Sequence, residues 1–182
     1  MSKINVNTVE PEGATTTLVL GASGDTVDIP SGATLDVTGA TVTGLSAGKV
    51  LQVVQGTYAT QTSTTGTTYV TTGLSASITP SSTSNKILVF GYINAFYCYG
   101  GAPAGGYIAL YRDSSSIVEP AGWSYSASTT GIISSMTFNT LDSPSSTSSL
   151  TYEVYFRRTH GSTVVVQDAG VSSYMTLMEI EA

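Results

Sequence analysis

The chain has 182 residues, room for one full domain with a modest extension, and 55 of them are serine or threonine, with 19 glycines and 11 tyrosines besides. Only 10% of residues are charged and the net charge is −6, so six cations (Lys3, Lys49, Lys86, Arg112 and the Arg157-Arg158 pair) are too few and too scattered for a phosphate-neutralising nucleic-acid binder. Scarce Glu, Lys, Arg and Gln beside plentiful β-branched and aromatic residues exclude a mainly helical fold, while 41% hydrophobic content is ample for a core.

Residues 1–8 carry no apolar stretch of the kind that heads a secretory signal, and no apolar run reaches the ~18 residues of a membrane span. Cytoplasmic synthesis without membrane insertion is therefore expected. Residues 1–45 then read as a polar start, closed by Glu10-Pro11, followed by very short β-like units: Leu18-Val19-Leu20, Thr26-Val27-Asp28-Ile29, Thr34-Leu35-Asp36-Val37 and Thr41-Val42-Thr43. Turn formers separate them. Strands this short bury too little surface to stand alone, so the repeat must stack on neighbours or on other copies of the chain.

From residue 46 to 182 the pattern changes to longer strands, predicted at 49–58, 67–78, 86–99, 106–112, 131–141, 150–158, 163–167 and 173–180. Loops rich in Ser, Gly and Pro divide them, at 81–85, 100–106, 142–144 and 160–162. Alternation is clearest after residue 149. It puts Leu150, Tyr152, Val154 and Phe156 on one face and Thr151, Glu153, Tyr155 and Arg157 on the other. Ile87, Val89, Leu177 and Met175 are expected in the same core. Eight strands with frequent turns predict an all-β fold, an antiparallel jelly-roll-like β-sandwich.

Several stretches resemble tail-fibre-like virion structural proteins of marine bacteriophages. At the N-terminus these are Lys3-Ile4-Asn5-Val6-Asn7-Thr8-Val9-Glu10-Pro11, Gly21-Ala22-Ser23-Gly24-Asp25-Thr26-Val27 and Ile29-Pro30-Ser31-Gly32-Ala33-Thr34-Leu35. In the remainder they are residues 72–89, Leu141-Asp142-Ser143-Pro144 with Leu150-Thr151-Tyr152, and Thr176-Leu177-Met178-Glu179-Ile180. Ile78-Thr79-Pro80-Ser81-Ser82 and Leu177-Met178-Glu179-Ile180 are the most specific of them. The resemblance implies a homotrimer on the virion surface, made in the host cytoplasm. Its N-terminal segment would attach to other virion proteins of the tail or capsid through Lys3, Ile4, Val6, Val9 and Pro11, and its β-rich head would point outward. The chain departs from long fibres in having no extended shaft.

The residues themselves give catalysis little to work with. His160 is the only histidine and reads as part of a hairpin turn at Arg158-Thr159-His160-Gly161-Ser162. With 26 serines in the chain, a nearby serine would be no signal of a triad. The carboxylates of the head (Asp113, Glu119, Asp142, Glu153, Asp168, Glu179 and Glu181) fall mostly at strand ends rather than as a glycosidase pair. Asp25, Asp28 and Asp36 could ring a cation in a trimer. No calcium-loop motif accompanies them, and solvent-facing aspartates that keep short strands apart are the simpler reading. Cys98 reads as a buried small hydrophobe. No catalytic residue, metal or cofactor is expected.

The aromatics are the better lead. Tyr92, Phe96, Tyr97, Tyr99, Tyr107 and Tyr111 flank the 100–106 loop, and most are expected to be structural. Trp123 and Tyr125 sit among Gly122, Ser124 and Ser126, which read as turn residues. With Tyr99 they are the candidate contacts for a receptor or partner, a host surface glycan or protein. The function these observations favour is a short tail fibre with a host-surface-binding head. A trimeric capsid decoration or cement protein and a carbohydrate-binding module are the alternatives. The shortage of charge suits wide burial between subunits.

Overall fold

The structure, a computed structural model, describes residues 31–34, 49–128 and 131–182. Lys3, Ile4, Val6, Val9 and Pro11, the residues assigned to virion attachment, lie outside the described residues, as do Asp25, Asp28 and Asp36. Ser46–Ala182 is a compact unit by itself.

Ten strands build it: β1 (Val50–Tyr58), β2 (Thr62–Thr64), β3 (Val70–Ile78), β4 (Lys86–Tyr99), β5 (Ala104–Arg112), β6 (Ser115–Ser126), β7 (Gly131–Asp142), β8 (Leu150–His160), β9 (Thr163–Val166) and β10 (Ser173–Ile180). A short 3-10 turn at Asp168–Gly170 separates the last two. In the first sheet β1 pairs with β10, β10 with β4, and β4 with β7, while β2 pairs with β9 and β9 with the far end of β4. The pairs β1/β2 and β10/β9 each run end to end, so this sheet is four lines wide. The second sheet has the order β3-β8-β5-β6. Two four-line antiparallel sheets connected this way form the expected jelly-roll sandwich.

The step from β10 to β9 along one side of β4 is made by a bulge. Ile93 and Phe96 bracket a register shift, and Ala95 there has φ 45°. A bulge bends its strand and resets the register beyond it. β4 therefore faces β10 before this point and β9 after it.

The alternation read in β8 is what fills the interior. Leu150, Tyr152, Val154 and Phe156 are all buried, and they share one core with Ile87, Val89, Met175 and Leu177 of the opposite sheet. Leu74, Ile108, Phe96 and Phe138 complete its centre. Burial pushes the Cys98 thiol up to about 12, consistent with a small apolar filler.

Two elements depart from the sequence reading. Residues 115–126 form β6, a strand, where Trp123 and Tyr125 had been placed among turn residues. Among the described residues β6 pairs only with β5, at the sheet edge, so small inward residues such as Gly122 and Ser124 suffice and no hydrophobic alternation is needed. Pro120 falls in the register shift between Val118 and Gly122, a position that a residue without an amide donor tolerates. The second element, β2, is too short to show a period. His160 also moves, from a predicted turn to the last residue of β8.

Polar clusters lock one end of the sandwich. Glu179, 1% exposed, points inward from β10. It accepts hydrogen bonds from the Ser81 amide (2.6 Å), the Ser81 hydroxyl (2.8 Å), Asn85 Nδ2 (2.6 Å) and Gln52 Nε2 (2.6 Å). Burial alone would raise its pKa, but these donors more than reverse that and hold it at about 2. Two strands over at the same end, Arg112 of β5 pairs with Asp142 of β7, and the buried Tyr152 of β8 donates to the same carboxylate at 2.6 Å. This second cluster joins the two sheets. Val50 and Ile180 are register partners at this end, so the sandwich begins and finishes here.

Candidate functional site

At the opposite end, β5 starts, β6 and β8 finish, and their outward side chains converge. Register partners place Trp123 beside Tyr107 and Tyr107 beside Arg157 on the outer face of the second sheet. Residues two apart in a strand share a face, about 7 Å from each other, so Tyr125 stands next along β6 from Trp123. With Thr159 and His160 at the end of β8, these rings line an open cleft of about 270 Å³ formed by Tyr107, Trp123, Tyr125, Thr159 and His160. Trp123 is 68% exposed and Tyr125 51%, unusually open for rings of their size.

The rings are fixed by contacts among themselves. Tyr107 and Trp123 have centroids 6.4 Å apart, and the His160 ring stands edge-on to Tyr125 at 5.1 Å. Arg157 lies between two tyrosines, its guanidinium carbon 5.0 Å from the Tyr107 ring and 5.1 Å from that of Tyr69. Such a cation over a ring face contributes an attraction of about 0.5–2 kcal/mol and holds Tyr107 in place. Arg158 donates to the carbonyls of Thr65 (2.8 Å) and Gly161 (2.7 Å), which ties the loop after His160. The aromatic surface continues away from the cleft through Tyr69, Tyr111 and Tyr155. Tyr111 is 6.3 Å from Tyr69 and 4.2 Å from Tyr155.

The structure thus brings Trp123 and Tyr125 together and leaves Tyr99 elsewhere. Tyr99 ends β4 in the first sheet, packed on Tyr97 at 4.7 Å, and does not line the cleft. Sequence reasoning missed Tyr107, Thr159 and His160 as members of the site. The available signal was the outward alternation of β8, which carries Tyr155, Arg157 and Thr159 in step. What it lacked was the pairing of β8 with β5. His160 faces an aromatic ring rather than a carboxylate. Among the described residues no group of three or more His, Cys, Asp or Glu converges as a metal site.

The outer face of the first sheet has a different character. Cross-strand register forms a row of Val53, Met178, Leu88 and Leu141 that spans all four lines. The next rows are Gln55-Thr176-Phe90-Asn139 and Thr57-Tyr174-Tyr92-Thr137. None of these twelve residues is charged, and Val53 is 55% and Leu141 53% exposed. Three rows ~7 Å apart on four lines ~4.8 Å apart present about 400 Å², roughly half of what each partner contributes to a standard protein interface.

No family model matches the chain, and no curated protein matches it. Among solved structures it is similar to a chain from the crystal structure of the T13 IBDV viral particle, with a TM-score of 0.40 and 14% identity. That match covers 84% of this chain and 41% of the other, so the chain spans about two fifths of the length of the protein it matches.

Proposed function

We propose that this protein is a virion structural protein, a short tail fibre that works as a homotrimer and whose head contacts the host surface. The observation that carries the reading is the polarity of the sandwich. The chain enters and leaves at the end locked by Glu179 and Asp142, and the exposed aromatic cleft stands at the other end, ~40 Å away along β4. The cleft therefore opens at the end of the head away from Val50, the first residue of β1.

The trimer is supported by the uncharged outer rows of the first sheet. An uncharged face with Val53 and Leu141 exposed in one row suits burial against copies of itself. A jelly roll is an architecture found in viral capsid and lectin domains alike, and accommodates both assembly and surface recognition. The test is competition: purified protein, incubated with host cells before the phage is added, should reduce adsorption in proportion to its concentration. Unchanged adsorption at saturating protein would refute the host-contact role.

A further inference from the structure

We infer that the cleft formed by Tyr107, Trp123, Tyr125, Thr159 and His160 is a sugar-binding site that takes one pyranose ring of a surface glycan. The inference rests on the host-contact reading and names the chemistry recognised. A pyranose presents a face of C–H groups and a rim of hydroxyls. Aromatic rings offer a negative face to the polarised C–H bonds, and Trp123 and Tyr125 hold such faces open to solvent on one rigid strand. The hydroxyls of Tyr107, Tyr125 and Thr159 and the His160 ring supply donors and acceptors for the rim. A volume of about 270 Å³ lies just below the roughly 300–1,000 Å³ of sites for drug-sized ligands, matching a single ring rather than an extended chain.

Charge decides against the main competitor. Three aromatics could also cage a quaternary ammonium. Here, however, Arg157 already lies over the Tyr107 ring and Arg158 holds the adjoining loop, while among the described residues no carboxylate lines the cleft. A second cation would meet repulsion from Arg157 with no carboxylate in the lining to offset it. A neutral sugar, or one bearing a carboxylate, meets none. The site is also preformed, because Tyr107, Tyr125 and Arg157 stand on paired strands and are held by contacts that a ligand need not create.

Trp123 is the only tryptophan in the chain, so its emission reports on this site alone. The full-length protein would be titrated with galactose, glucose, N-acetylglucosamine, glucuronic acid and, separately, tetramethylammonium. At least one sugar should shift the emission and protect it from acrylamide quenching, and tetramethylammonium should do neither. Saturation-transfer NMR should then show at least a tenfold loss of sugar binding in Trp123→Ala and in Tyr125→Ala. Both side chains are exposed, so the variants should melt with the parent protein; Thr159→Val gives a further variant if either does not. No response to any of the four sugars, protection by tetramethylammonium instead, or undiminished binding in the variants would overturn the assignment. Sugar binding that persists while the protein fails to compete for adsorption would instead refute the host-contact reading and leave the site standing.

Discussion

Replacing Glu179 by glutamine should destabilise the head and remove much of its sensitivity to acid. Four neutral donors converge on the Glu179 carboxylate, which is 1% exposed, and among the described residues no cation pairs with it. A glutamine can accept on only one side, and its amide group would face either Gln52 or the Ser81 and Asn85 donors. The expected cost is about 2–3 kcal/mol from lost charge-assisted bonds and a donor left facing a donor. The proton linkage expresses the same contacts as a pH dependence. The pKa falls from 4.5 to about 2 on folding, which corresponds to roughly 3 kcal/mol. Because the folded value is the lower, this stabilisation is complete above about pH 4.5 and is lost as the pH falls through about 2. Urea unfolding followed by circular dichroism, at one protein concentration and between about pH 7 and about pH 2.5, measures both effects. Glu179→Gln should be weaker at neutral pH and flatter below about pH 4.5. A variant that loses less than about 0.5 kcal/mol and keeps the parental acid dependence would refute this account of the locked end.

Phe156→Ala empties a fully buried site between the sheets and should cost roughly 3–5 kcal/mol in the same assay; a loss below about 1 kcal/mol would contradict the core. Light scattering on the full-length protein should give about three times the 18.7 kDa of one chain. Val53→Asp or Leu141→Asp, in exposed positions of the apolar row, should shift that mass to a monomer without unfolding the head, and a trimer retained in both variants would move the interface elsewhere. Removing residues 1–45 should leave a soluble head that no longer joins particles, and a truncated head that still incorporates normally would remove the attachment role from that segment.

What the sequence made legible follows from how each strand is buried. Residues 86–99 and 173–180 were readable to the residue because β4 and β10 are interior strands, with one face in the core and the bounds marked by turn formers. β6 was not readable, since an edge strand with glycine and serine facing inward and a proline in its bulge carries no period. The same fact hid the site. Trp123 and Tyr125 stood out as exposed aromatics, but Tyr107, Thr159 and His160 join them only through the pairing of β5 with β6 and β8, which is set by strand order and not by local pattern. The two most specific stretches of resemblance turn out to be bonded to each other: Ser81 in the first donates to Glu179 in the second. Their distinctive residues close the sandwich and lie at the end away from the cleft. The strongest sequence signal therefore marked stability, and the weaker one marked the surface available for recognition.

The number of copies per particle tests the proposed fibre role most directly. Gel densitometry of purified virions, scaled to the major capsid protein, should give a few dozen chains in multiples of three. Several hundred copies would mean a decoration protein covering the capsid, and none at all would contradict a virion role.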